Sequence, residues 1–368
     1  MADYAPQVDP REGMFEFGQF RGLRNNVSAD AFSSEDLEVA LNVDIDDALA
    51  LSRRKGYSSP VTAAIDRDLW AYGDLCLGVG SDALKRLHPD YTTTTLRSGL
   101  TPGRALSYAA VGDRVFYANG VELGCVQGGA ARTWGVEVPA RPVAAVTAGT
   151  LRAGLYQYAV TFLRADGQES GASRAGTIEL TAAESGIELT AIPVSTDPTV
   201  AFKAVYATSV GGGTLYRQGV IANSETAFAI RESRMDASPL LTQFLSPPPA
   251  GDHLAYFNGR LLVARGSRVY PSESYAPELF DLRKAAPFLD RIEMIAPVRD
   301  GVWIGTASRV IWLTGDAPET WAYRVVAKYG VIPRTLAYGD GEALGDGGAR
   351  GEPVAFFASK RGVCTGRD

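Results

Sequence analysis

The residues in this chain with the types and spacing for chemistry are few. Two histidines, His88 and His253, are the whole imidazole supply, so a Ser-His-Asp constellation or a zinc site would have to be built from very few parts. Each reads as a structural or surface histidine. Asn42-Val43-Asp44-Ile45-Asp46-Asp47 resembles the start of a calcium loop. However, its sixth position is Asp47 where a glycine is needed, and its twelfth is Arg53 where a bidentate glutamate is needed. It reads as the polar face of a strand. Gly78-Val79-Gly80 lacks the third glycine and the following helix of a dinucleotide fingerprint and reads as a turn. Glu273 and Glu278 have the chemistry of a glycosidase pair, but nothing in their spacing makes them converge. The Ser-x-Asp-x-Gly-x-Thr-Trp boxes that mark sialidase propellers are absent. Trp303, Trp312 and Trp321 could rim a binding pocket or pack into a core. No catalytic, cofactor-binding or metal residue is assigned, no cofactor is expected, and the chain does not read as an enzyme.

The elements that would carry any site are hairpins. Leu254 to Tyr270 places an apolar run before the turn Asn258-Gly259, then a second strand, a small polar turn and a third strand; Ile295 to Ile311 repeats the pattern around Asp300-Gly301. Asn-Gly and Asp-Gly tolerate positive φ and mark two-residue hairpin turns. The same grammar surrounds Gly73-Asp74 and Gly112-Asp113. A period of about 40 residues, each a few antiparallel strands, is the signature of β-propeller blades.

Composition agrees with an all-β chain. The 368 residues are 46% hydrophobic and 10% aromatic, with 40 glycines and 20 prolines in no fixed short period, which fits many turns. A formal charge of −6 argues against a protein that grips nucleic acid by neutralising phosphates. The compact basic cluster Arg53-Arg54-Lys55 reads as a solvated turn. The opening Met-Ala-Asp-Tyr has neither the basic nor the apolar region of a secretory signal, and no apolar run approaches the ~20 residues of a membrane-spanning helix. The expectation is a protein made and kept in cytoplasm, or leaving the cell by a route other than secretion. Cys76, Cys125 and Cys364 are odd in number and far apart, so reduced thiols are expected.

Four segments follow. Residues 1–34 read as an N-terminal arm with Phe15, Phe17 and Phe20 as anchors. Residues 35–138 hold a half-buried strand, Leu41, Val43 and Ile45 against Asn42, Asp44 and Asp46, and then the first part of a propeller. Residues 139–245 change character. Short strands such as Leu155–Phe162, Thr177–Leu180, Ile187–Thr190 and Phe202–Thr208, separated by turn signals, are the pattern of a fibronectin-like or immunoglobulin-like sandwich. Pro247-Pro248-Pro249 then acts as a stiff link into residues 246–368, the second part of the propeller. That part holds two clear blades, a Gly/Asp-rich loop from Gly339 to Gly351 and a last strand pair. The fold class is therefore all-β, a β-propeller body with an inserted β-sandwich, with about five blade-like units. The strand at 37–46 is the candidate to close the ring by pairing with the last blade.

Phe17-Gly-Gln-Phe20-Arg21-Gly22-Leu23, Ala40-Leu-Asn42-Val43-Asp44-Ile45 and Arg53-Arg54-Lys-Gly56-Tyr57 resemble the opening of virion proteins from tailed bacteriophages. The likeness continues in Tyr156-Gln-Tyr158, Asp166-Gly-Gln-Glu169-Ser170, Phe257-Asn-Gly-Arg-Leu261 and Ser272-Glu-Ser-Tyr-Ala-Pro-Glu-Leu-Phe280. It spans nearly the whole chain and is similar to the tail nozzle, or tail tubular, proteins of short-tailed phages. That resemblance implies a homo-oligomer, a hexameric ring beneath the portal adaptor, with tail fibre, spike or needle proteins below. It implies a conduit for genome DNA that passes through the lumen without sequence-specific binding. It also implies residence in the virion tail after assembly in the bacterial host cytoplasm, with no membrane insertion. A β-propeller that binds a carbohydrate or a receptor is the alternative.

Overall fold

The computed structural model describes residues 19–24, 28, 31, 33, 35–56, 64–234, 238–341 and 352–367, and the chain divides into two compact units, Met1–Thr62 and Ala63–Asp368. Phe15, Phe17, Tyr57 and most of the Gly339–Gly351 loop lie outside the described residues.

The first unit holds two small sheets. Gly22–Leu23 pairs in parallel with Asp36–Leu37, and Val43–Ile45 pairs antiparallel with Leu51–Arg53. The second hairpin turns because Asp46 Oδ1 accepts the N–H groups of Ala48 at 3.0 Å and Ala50 at 2.9 Å, while Leu49 adopts φ 62. The half-buried strand expected from Leu41 onward is realised only over Val43–Ile45, and Leu41 is 80% exposed. The expectation that this strand closes the propeller is corrected. Its partner is Leu51–Arg53, and the last sheet of the chain consists of its own local strands.

In the second unit, among the described residues, five antiparallel meanders follow one another. Blade 1 is Arg67–Tyr72, Leu75–Gly80, Ala83–Leu87 and Thr93–Arg97; blade 2 is Ser107–Val111, Arg114–Ala118, Leu123–Gln127 and Ala130–Arg132. Blade 3 is His253–Phe257, Arg260–Arg265, Arg268–Glu273 and Ala276–Phe280, joined by Ala286–Pro287; blade 4 is Ile292–Pro297, Val302–Thr306, Val310–Thr314 and Ala322–Ala327. Blade 5 has three strands, Ala337–Asp340, Pro353–Ser359 and Gly362–Gly366. Strand alternation explains the near-continuous apolar runs, because successive side chains point to opposite faces and both faces are covered. In Arg114–Ala118, Val115 and Tyr117 pack toward blade 1 with Leu77, Val79 and Leu84, while Phe116 and Ala118 pack toward blade 3 with Leu254, Leu261 and Val263. Leu262 and Ala264 face blade 4, against Ile295, Val302 and Ile304, and Met294, Ala296 and Val310 join Val331, Ala355 and Phe357 of blade 5. Each blade thus seals the core of the next, which is propeller construction.

The turns differ in why they need their residues. Asn258 and Gly259 both have positive φ, 50 and 74, the hairpin geometry expected of Asn-Gly. Gly301 does not, and its role is close approach: a Cβ there would lie 2.6 Å from the Leu313 carbonyl oxygen and from the Trp312 ring.

Between blades 2 and 3 the chain leaves to form a β-sandwich. Its sheets are Val143–Leu151, Ser185–Thr190 and Phe228–Ile230, facing Gly176–Leu180, Gly154–Arg164, Val200–Ala207 and Tyr216–Ala222. Tyr158, Val160, Ile187, Leu189, Val205 and Ile230 fill the space between them. The entry and exit segments meet at one residue of blade 3. Trp134 lies between Phe116 and Phe280, with ring centroids 5.0 Å and 6.1 Å away, and donates Nε1–H to the Pro277 carbonyl at 2.8 Å. Ser246 exchanges both backbone hydrogen bonds with Phe280 at 2.9 Å. Because the two ends meet, the sandwich replaces a surface connection and leaves the blade 2–blade 3 core continuous. Among the described residues no helix is long and apolar enough to cross a membrane.

Candidate functional site

The first strands of the blades line a common shaft. Its cavity measures about 940 Å³ and is walled by residues from all five blades, including Trp70, Tyr108, His253, Glu293 and Tyr338. That volume is within the usual range for a ligand pocket, roughly 300 to 1,000 Å³.

Hydrogen bonds and ion pairs between the beginnings of these strands give the shaft a direction. Asp68 Oδ2 accepts the Leu106 N–H at 3.0 Å, Ser107 Oγ accepts the Leu254 N–H at 2.9 Å, and Asp252 Oδ2 lies 3.1 Å from Arg291 Nη2. The starts of four inner strands are therefore neighbours at one end, and their other ends, with Tyr72 and Tyr256, lie at the opposite end. One mouth is charged and the other aromatic.

At the charged mouth Asp252 is shared. Arg104 Nη1 is 3.8 Å from its Oδ1, and Arg291 also approaches Glu293 at 3.7 Å. Asp68 holds φ 54 inside its strand and lies 3.8 Å from Arg67 Nε. Arg334 of blade 5, at φ 64, is exposed and has no ion-pair or hydrogen-bond partner among the described residues. His253 is held neutral: burial lowers its pKa, the Asp252 carboxylate opposes this, and the Arg291 and Arg334 charges add to the lowering. In the wall, Trp70 stacks on Tyr108 at 5.3 Å and on Tyr72 at 6.0 Å. Tyr72 and Tyr256 are 49% and 36% exposed, so their rings remain open to a ligand.

The residues singled out in the sequence fall mostly elsewhere. His253 lines the shaft, whereas His88 contacts Thr94 Oγ1 at 2.8 Å in blade 1. Glu278 is ion-paired with Arg114 across blades 2 and 3, and Glu273 sits 3.9 Å from Arg260 and 3.7 Å from Lys284. These two carboxylates are engaged in separate ion pairs. Asp44 pairs with Arg54 at 3.1 Å and Asp46 caps its own turn. Gly78 and Gly80 are not a turn; they lie in the strand Leu75–Gly80, where a Cβ on Gly80 would meet the Ala64 carbonyl oxygen at 2.0 Å. Trp303 and Trp312 pack together at 4.7 Å, and Trp303 donates to the Arg367 carbonyl at 3.0 Å. Trp321 packs against the core between blades 3 and 4. Cys76, Cys125 and Cys364 are free. The shaft residues Asp68, Asp252, Arg291 and Arg334 escaped sequence reasoning. The available signal was position, since Asp252 and Arg291 each lie just before the first residue of an inner strand and Asp68 is the second residue of one.

No protein-family model matches the chain, and no curated protein matches it. Among solved structures it is similar to Sqt1 of Saccharomyces cerevisiae, at 11% identity over 79% of this chain and 92% of that one, with a TM-score of 0.23. Virginiamycin B lyase from Staphylococcus aureus gives 11% identity over 83% and 96%, with a TM-score of 0.23. The extracellular domain of a putative one-component system from B. thetaiotaomicron gives 10% over 88% and 45%, with a TM-score of 0.26. At these scores the likenesses carry no functional argument, and the propeller assignment rests on the sheets and shared cores.

Proposed function

We propose that this chain is a bacteriophage virion structural protein, a subunit of a tail nozzle ring that lies below the portal adaptor and carries fibres or spikes. The observation that supports this reading is the combination of a sequence likeness spanning nearly the whole chain with a sandwich inserted between two blades whose core stays continuous. The work of such a subunit is mechanical. It needs rigid blades, a sandwich fixed to them, and edges for contacts with neighbouring copies, and it needs no reacting group. A formal charge of −6 suits a conduit that must not hold phosphates as DNA passes along the ring axis. Ring formation is tested by analytical ultracentrifugation and negative-stain class averages of the purified protein. A closed ring of six copies is expected; a species that stays a single subunit at every concentration contradicts the reading.

A second reading, a propeller that binds a carbohydrate or receptor, is favoured by one observation, the aromatic-walled shaft of about 940 Å³. The two are compatible, because the shaft lies within one subunit and the conduit would lie on the axis of the ring.

A further inference from the structure

We infer that the shaft is a binding site for a short acidic oligosaccharide, one whose sugar rings stack on the aromatic mouth and whose carboxylate is held by Arg334 at the charged mouth. This rests on the binding reading of the shaft and names its ligand class.

The aromatic mouth selects sugar. Tyr72 and Tyr256 stand on inner strands of different blades at the same end of the shaft, each with a partly exposed ring. Such rings offer flat apolar faces to the C–H faces of pyranoses while their hydroxyls meet sugar hydroxyls. Tyr72 is further held in place by its stack on Trp70, so little ordering is left for binding.

The charged mouth selects an anion. Arg104 and Arg291 share Asp252, and Arg291 also meets Glu293, so those two guanidinium groups are already neutralised. Arg334 lines the same cavity without a carboxylate among the described residues. Its planar donor fork matches a carboxylate bidentately. Neutral His253 beside it adds no competing charge and can donate or accept one hydrogen bond. The inner strands of blades 1 to 4, five or six residues long, rise about 17 to 20 Å, so one ligand that reaches both mouths is an oligosaccharide and not a single sugar.

The test is an array of uronate-containing oligosaccharides, each printed beside its carboxyl-reduced form, probed with the full-length protein, with Arg334→Ala, with Tyr256→Ala and with Arg268→Ala. Arg268 is exposed and outside the shaft, so its variant reports non-specific charge effects. The expected result is binding to uronates at least about tenfold above their reduced forms, the preference of a charge-assisted hydrogen bond. Arg334→Ala abolishes that preference, Tyr256→Ala weakens binding to both forms, and Arg268→Ala changes neither. Equal binding to acidic and reduced glycans overturns the acidic specificity and leaves the shaft as a sugar site, and an unchanged preference in Arg334→Ala overturns the assignment of the carboxylate to Arg334. No binding to any printed glycan overturns the inference and, with it, the carbohydrate form of the binding reading. None of these outcomes bears on ring formation.

Discussion

Arg164 Nη2 lies 3.1 Å from Asp197 Oδ2, with side chains only 2% and 10% exposed, and the same nitrogen donates to the carbonyl oxygens of Thr133 and Gly135 at 3.1 Å each. One guanidinium thus ties the sandwich, which carries Arg164 and Asp197, to the segment that leaves blade 2. Breaking one half of such a pair leaves the other charge buried without compensation. Arg164→Ala is expected to cost about 3 to 5 kcal/mol in denaturant unfolding. A loss below about 1 kcal/mol would mean that the joint does not depend on it.

The same pair has a pH signature. Burial alone would raise the Asp197 carboxyl; hydrogen bonds from Thr133, from the hydroxyl and N–H of Thr199, and from Arg164 outweigh it and bring the pKa from 3.8 to about 2. A depressed carboxyl contributes stability that is complete above its unfolded pKa and is lost as pH falls through the folded one. About 2 kcal/mol should therefore be present above pH about 4 and decline between about 4 and 2. Urea midpoints measured across that window should fall in the wild type and fall less in Asp197→Asn, which starts lower.

Trp134 is the second pin of the joint, 2% exposed between Phe116 and Phe280. Trp134→Ala removes a buried aromatic and a hydrogen bond and should cost roughly 3 to 5 kcal/mol. Limited proteolysis should then cut near residues 133–142 and divide the chain into two fragments that the wild type does not yield.

The fold was legible where local chemistry and period agree. Asn258-Gly259 announces its hairpin, and the apolar runs around it belong to strands buried on both faces. The outer strand Ala322–Ala327 was not legible, because nearly all of it is exposed and it carries no alternation. Phe202 and Lys203 reverse the simple rule: Phe202 is 45% exposed and Lys203 is 0% exposed. The strand register turns Lys203 inward, where its Nζ donates to the Pro193 carbonyl at 2.8 Å and to that of Glu225. Those acceptors lie on other segments, which no local pattern reveals. The shaft was hidden for the same reason. Asp252 and Arg291 belong to consecutive blades, and only the stacking of blades brings them together.

Ala322–Ala327 is also a candidate contact of the proposed ring. It pairs with Val310–Thr314 on one side, and Tyr323 and Val326 are 66% and 48% exposed. A free edge bearing β-branched residues invites pairing with another chain. Val326→Lys should shift the protein from rings to single subunits in sedimentation while leaving its thermal midpoint nearly unchanged, since the side chain is in no core. An unchanged ring fraction would place the contact elsewhere.

The nozzle reading is tested most directly by electron microscopy of particles purified from the producing strain and labelled with an antibody against this protein. Label at a single tail vertex of each particle is the predicted result. Particles that carry no label at any vertex would contradict it.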